Sequence, residues 1–394
     1  MALLVLALVA LAAGPAADRI DPPAAVGALA PKLTIVADTV YLTWLEPTAL
    51  RFATFSQGVW TAPKTITRDV DFFANWADLP SIAVAADGTL VAHWLQKSGP
   101  DTYAYDVMVA RSTDQGSSWQ PLGRAHDDST KTEHGFVSLI AEDHGIRAFW
   151  LDGRELAAVE GSAGEVGSSA EGNMTLRTSL IAETVGSSRV LDPRVCECCN
   201  TAAVMTDTGP VIVYRDRSAE EVRDISIIRR VGERWTPPRV VAVDDWLIAG
   251  CPVNGPAMAA RGSHLVVAWF TAPAGRAAVR AAISLDAGAT FADALTLDDG
   301  WPVGRVDVVL TPSGDAIVSW LDATEASGAI VLRRISKQGR MGPPVKVIQT
   351  RLSRATGFPR LALSGANLLV VWTDEAHRKI RAVTMPLAGV PDAR

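Results

Sequence analysis

Seven copies of one short phrase run through the chain: an apolar strand, a turn carrying Gly or Asp, and a second apolar strand that ends on an aromatic residue. The copies end at Trp44, Trp94, Trp150, Tyr214, Trp269, Trp320 and Trp372, with steps of 50, 56, 64, 55, 51 and 52 residues between them. Period-two alternation in several short strands per unit marks propeller blades rather than a helical solenoid. A sheet of that size cannot bury both faces alone, so the units must pack around an axis, with the large aromatics filling the space between neighbours. The expected fold is all-β, a seven-bladed β-propeller of four-stranded antiparallel blades. Six blades is the alternative if one copy lies outside the ring.

The second unit displays the expected blade most fully. SIAVAA and TLVAHWLQ read as strands one and two, YDVMVARSTDQGSSW carries strand three into a turn, and PLGRAH begins strand four. The seventh unit runs out after its third strand at KIRAVTMPL, and residues 24–30 can supply a closing outer strand that removes the open edges. Repetition from Leu33 to about Leu387 leaves no room for a linker in the 394 residues, so residues 18–394 read as one domain, expected to be monomeric. A net charge of -6 without a basic run argues against nucleic acid as a partner. Residues 1–17 are apolar and end in small residues, which predicts a signal peptide cut after Ala17 and a periplasmic or secreted protein. No later segment is apolar for long enough to span a membrane as a helix.

Two turns match S-x-D-x-G-x-x-W/F: Ser112, Asp114, Gly116 and Trp119 in one, and Ser284, Asp286, Gly288 and Phe291 in the other. Ser hydroxyl and Asp carboxylate are placed to satisfy backbone N–H groups, Gly to take a positive φ, and the aromatic to plug the blade. This is the Asp box, and with it the chain resembles the sialidase (neuraminidase)-like superfamily of BNR-repeat propellers over nearly its whole length after residue 17. The resemblance implies a structural role for these turns, a ligand site elsewhere and, at its fullest, an exo-sialidase-like glycoside hydrolase. Such an enzyme uses an early Phe-Arg-Ile-Pro segment, an arginine triad that clamps a carboxylate, an Asp acid/base and a Tyr nucleophile activated by Glu. Here the segment before the second unit reads Asp78-Leu79-Pro80-Ser81, the nearest analogue is Phe358-Pro359-Arg360, and the tyrosines are Tyr41, Tyr103, Tyr105 and Tyr214. The resemblance thus implies the scaffold more fully than the catalytic set.

In a propeller the connections from one blade's outer strand to the next blade's inner strand converge on one mouth, where ligands commonly bind. Those segments hold the chain's unusual residues. Arg194, Arg217 and Arg305 can form a carboxylate clamp, or else pair with nearby acids such as Asp216, Glu220 and Asp224. Asp71 and Asp127 are candidate general acids, with turn formation as the structural alternative. Trp76, Trp246 and Trp301 can make a sugar-stacking platform or simply pack, and Asn254 lies in the same ligand-facing set.

All four cysteines fall in two successive mouth loops: Cys196, Cys198 and Cys199 in the one before the fourth unit, and Cys251 in the one before the fifth. They should meet. Two disulfides stapling neighbouring blades are one outcome for an exported chain. A thiolate site for copper or zinc, completed by His134 or His126, is another, and redox chemistry of a strained disulfide is a third. Three functional classes therefore stand: a glycan-directed enzyme of the sialidase-like kind, a metal-binding or redox propeller, and a non-catalytic module that binds a glycan, small molecule or protein at its mouth.

Overall fold

Backbone polar groups in short apolar strands are satisfied only by neighbouring strands, and each repeat solves this with a small antiparallel sheet. The computed structural model describes residues 17–69, 71–156, 172–324 and 327–393, and contains seven such sheets. Blade 1 runs through Leu29–Val36, Thr39–Glu46 and Ala49–Ser56 to outer strands Val59–Trp60 and Lys64–Thr67. Blade 2 comprises Ser81–Val84, Leu90–Lys97, Tyr105–Ser112 and Gln120–Arg124, and blade 3 His134–Glu142, Gly145–Asp152, Thr175–Ile181 and Arg189–Asp192. Blade 4 is Ala202–Thr206, Gly209–Arg215 and Ile225–Val231, with Arg234–Trp235 and Arg239–Val240 outside. Blade 5 is Ala257–Arg261, His264–Thr271, Ala278–Ser284 and Leu295–Asp298; blade 6 is Pro302–Leu310, Ala316–Ala323, Gly328–Ile335 and Val345–Thr350.

Blade 7 consists of Arg360–Ser364, Asn367–Asp374 and Lys379–Pro386, and its fourth strand comes from the other end of the chain. Asp18–Arg19 pairs with Lys379–Pro386, so the closing segment lies earlier than the sequence reading placed it. Residues 24–30 cannot serve there, because Leu29 and Ala30 already open blade 1 and Gly27 N–H donates to Arg378 O. Of the expected leader, residues 1–17, all but Ala17 lie outside the described residues.

The core consists of seven apolar clusters, and each joins two consecutive blades. Val40, Leu42 and Trp44 of blade 1 pack with Leu369, Val371 and Ala382 of blade 7, which closes the circle. That closure excludes six blades with a seventh unit set aside. The repeat aromatics fill these interfaces: Trp44, Trp150, Tyr214, Trp269 and Trp320 have no solvent exposure. Burying each such ring stabilises by roughly 4–6 kcal/mol on area alone.

A buried indole or phenol must also place its polar atom. Trp44 donates to Glu46, Trp94 to Gln96, Trp150 to Asp152, Trp269 to Asp244 and Trp320 to Asp298, while the Tyr214 hydroxyl donates to Asp192. Much of the acidic character beside the aromatics is therefore structural. The two Asp-box sequences fold as the motif requires: Gly116 N–H donates to Ser112 Oγ and Gly288 N–H to Ser284 Oγ, each at 2.8 Å, while Asp114 and Asp286 accept from the following turn N–H groups. Gly116 and Gly288 have φ of +76° and +78°.

Candidate functional site

Antiparallel strand order sends the blade-to-blade connections and the turns between strands two and three to one face. Close backbone packing locks these segments together. A Cβ on Gly304, at φ +87°, would lie 2.4 Å from Asn254 Oδ1. That oxygen accepts the Arg305 N–H at 2.7 Å, and the Asn254 amide donates to Val303 O. Asn254 thus joins two mouth loops.

Three of the four cysteines, Cys196, Cys198 and Cys199, meet, and none of the four is joined to another. Cys196 Sγ stands 3.5 Å from Cys199 Sγ and 4.0 Å from Cys198 Sγ, and Cys251, on the next loop, interacts with Cys198. Arg223, between strands two and three of blade 4, donates to Cys196 Sγ at 3.2 Å and to Glu197 at 2.7 Å. Glu221 binds both Arg223 and Arg217, and Arg217 also pairs with Glu197. The contacts with Cys198 and Cys199, helped by the Arg223 charge, hold the Cys196 thiol well below its ordinary pKa. Arg215 is 1% exposed and donates to the carbonyls of Asn254, Arg223 and Phe270. Its guanidinium also sits 4.8 Å from the centre of the Trp246 ring.

Between blades 2 and 3 lie two groups whose pairing the sequence did not disclose. The Tyr105 hydroxyl donates to Glu133 at 2.6 Å, and Asp78 accepts the Phe136 N–H at 2.6 Å. Burial pushes Asp78 up to about 8 and Glu133 up to about 7, the latter aided by negative charge on Glu197 and Cys196. Tyr105 has no exposure and stacks on Phe73 at 4.0 Å. Next to it, His126 and His134 stack at 3.9 Å and face the carboxylates of Asp106, Asp128 and Asp152. Burial opposes charge on His126, but Asp106 and Asp128 outweigh it and raise its pKa. The histidines thus form their own His–Asp group, and the carboxylates around them, not the cysteines, are their immediate partners.

Arg305 occupies a different part of the mouth. Only 6% exposed, it donates to Ser353 O at 2.7 Å and Gly357 O at 3.1 Å, and its guanidinium lies 4.5 Å from the Trp76 ring centre. No carboxylate pairs with it among the described residues. Burial and the Arg354 charge together lower it to about 10. Trp76 and Gly357 in turn form walls of a cleft of about 470 Å³ between blades 7 and 1, rimmed by Asn75, Thr373, Glu375 and Arg378. A larger cavity of about 920 Å³ is the central channel, where Lys32, Asp307 and Arg360 are the charged lining groups near the axis.

The remaining expected residues disperse. Arg217 is held by Glu197 and Glu221, and the Arg194 backbone N–H donates to Asp192. Arg154 and Ser188 hold the Asp127 carboxyl well below the usual range despite slight burial, which leaves it no proton to give. Asp71 is exposed and caps a turn through its N–H to Asp69. Trp246 is 5% exposed, packed between Arg215 and Phe270, whereas Trp301 is 79% exposed. The three indoles make no common platform. Trp76 lines the cleft between blades 7 and 1, and Trp301 a separate one of about 780 Å³ beside blades 5 and 6.

No protein-family model matches the chain, and no curated protein matches it in sequence. Its fold does match solved structures. A family PL25 ulvan lyase polysaccharide lyase superposes with TM-score 0.54 at 12% identity, over 97% of this chain and 99% of that one. An α-L-arabinanase from Penicillium chrysogenum, complexed with arabinobiose, gives 0.52 at 15% identity over 95% and 100%. An intramolecular trans-sialidase from Ruminococcus gnavus gives 0.51 at 11% over 83% and 98%. The chain therefore shares its propeller fold with these proteins.

Proposed function

We propose that this chain is a glycan-directed propeller that binds an acidic saccharide in the mouth cleft between blades 7 and 1. One observation carries this: Arg305, a nearly buried guanidinium without a carboxylate partner among the described residues, contacts Trp76 and Gly357, two lining residues of an open cleft that it does not itself line. A buried cation lacking a counter-charge is costly, and a planar guanidinium binds a carboxylate or sulfate in a bidentate way. The cleft volume falls in the range of small-molecule sites, and an indole wall with Asn, Thr, Glu and Arg around it suits a sugar ring. Support also comes from the fold's company, since the similar structures named above are an arabinanase, a polysaccharide lyase and a trans-sialidase.

The proposal is recognition rather than turnover. The phenols of Tyr105 and Tyr214 are both bonded to carboxylates and both fully buried, so neither meets a ligand in that cleft. Export agrees with the ring closure, because Asp18, the first residue paired to blade 7, directly follows the expected cut after Ala17. An N-terminal sequence starting elsewhere than Asp18 in the secreted or periplasmic protein would overturn that part.

The test is calorimetric titration of the full chain with glucuronate-containing oligosaccharides and with the same oligosaccharides after carboxyl reduction. Only the acidic set should bind, and Arg305→Gln should weaken binding by about 10- to 150-fold, the loss of a charge-assisted hydrogen bond. Arg305→Lys, which keeps the charge, should lie between. Equal binding of reduced and acidic forms, or indifference to Arg305→Gln, would refute acidic-glycan recognition here.

A further inference from the structure

The geometry points to a second site on the same face: a four-thiolate centre for a single thiophilic d10 cation, Zn²⁺ or Cu⁺, made by Cys196, Cys198, Cys199 and Cys251. Blade 3 delivers three of the ligands through its connection to blade 4, and the connection from blade 4 to blade 5 delivers the fourth. A tetrahedral ion with metal–sulfur bonds of about 2.3 Å sets its sulfurs about 3.8 Å apart, and a trigonal one sets them about 4 Å apart. The Sγ separations of 3.5 and 4.0 Å bracket those values. Cys196, Cys198 and Cys199 alone bring ligand atoms within 4.8 Å of one another, with two of the three buried. Cys251, the exposed member on the neighbouring loop, interacts with Cys198 and is assigned as the fourth ligand.

Charge supplies an independent reason. Arg215 is buried to 1% exposure, and every donor contact it makes is to a backbone carbonyl, so no carboxylate neutralises it among the described residues. It acts instead on Cys199. Arg223 donates directly to Cys196 Sγ while also serving Glu197 and Glu221. Four thiolates around Zn²⁺ carry two net negative charges, and around Cu⁺ a three-thiolate set carries the same. The Arg223 guanidinium on Cys196, with Arg215 acting on Cys199, answers that charge in a place where isolated cations are unfavourable. Binding requires the thiols to release their protons, which ties occupancy to pH.

The centre stands apart from the Arg305 cleft, which shares no ligand with it. Full-length protein is purified without air and dialysed against a limiting chelator. It is then loaded separately with Zn²⁺, with Cu⁺ and with Co²⁺ as a spectroscopic stand-in for zinc. One equivalent per chain should be retained, and Co²⁺ should show thiolate charge-transfer and tetrahedral visible bands. Retention of Zn²⁺ against a competing dye, or of Cu⁺ against a cuprous chelator, distinguishes the two ions. Cys251→Ser, at the exposed position, should weaken retention by at least about tenfold with an unchanged circular dichroism spectrum. No stoichiometric retention of either ion would overturn the site. So would metal-free protein, prepared without reductant, whose mass is four hydrogens light, because two disulfides would then account for all the sulfur.

Discussion

Replacing Asp78 by Asn should stabilise the propeller increasingly as pH rises. Asp78 is 2% exposed, with Oδ2 accepting the Phe136 N–H and Oδ1 lacking any partner. The space is full: a Cβ on Gly135 would fall 2.2 Å from Oδ2, so an isosteric change is the appropriate probe. Burial carries the carboxyl from 3.8 to about 8, with Glu133 adding to the effect. Below about pH 4 the group is protonated in both folded and unfolded chains. Between there and pH 8 folding takes up a proton, so the wild type loses about 1.4 kcal/mol of stability per pH unit through this group, up to a limit on the order of 5 kcal/mol. Above pH 8 the slope vanishes. Asn keeps an oxygen for Phe136 and has no proton to take up. Urea unfolding followed by tryptophan fluorescence at pH 5, 6, 7 and 8 should show the two proteins diverging, with the variant gaining about 1.4 kcal/mol per unit from pH 5 to 7. A constant difference across that range would mean that Asp78 is not held neutral, and the assignment would fail.

Trp320→Phe keeps a ring between blades 5 and 6 but removes the donor to Asp298 at 2.7 Å, and should cost about 1–3 kcal/mol, read as a lowered Tm. An unchanged Tm would deny the Trp–carboxylate pairing a structural role. Gly116→Ala and Gly123→Ala separate strain from crowding. Both have positive φ, +76° and +88°, but a Cβ at Gly116 meets Phe52 Cζ at 2.4 Å while one at Gly123 meets nothing within 4 Å. The Gly123 variant should lose about 1 kcal/mol and the Gly116 variant clearly more, on the order of 2–4 kcal/mol by urea unfolding; equal losses would contradict the packing given for the Asp-box turn.

Blade number and strand order were legible because the constraint is local and repeated: each unit carries its own alternation, turn and aromatic. The origin of the closing strand was less so. Asp18–Arg19 is two polar residues without an apolar signature, held by pairing with Thr384 and Val383, so only the partner strand identifies it. At the mouth, sequence placed the cysteines together because the propeller brings successive loops side by side. It could not reveal which charges neutralise which. Arg217 reads like Arg305 in sequence, yet Glu197 and Glu221 occupy one while carbonyls and an indole surround the other. The Tyr105–Glu133 pair joins a strand in blade 2 to the loop before blade 3, 28 positions on, and no spacing rule announces it. Arg223 had one usable sign: it lies in a run of mixed charge, Glu220-Glu221-Val222-Arg223-Asp224, inside a turn that the topology sends to the cysteine loops.

Hydrogen–deuterium exchange of the full chain, free and saturated with a glucuronate-containing oligosaccharide, tests the placement of the ligand most directly. The account predicts slowed exchange in residues 73–78, 353–357 and 373–378, which surround the Trp76 cleft. Protection confined to the inner strands of the central channel, or to the cysteine loops at 196–200 and 250–255, would contradict it.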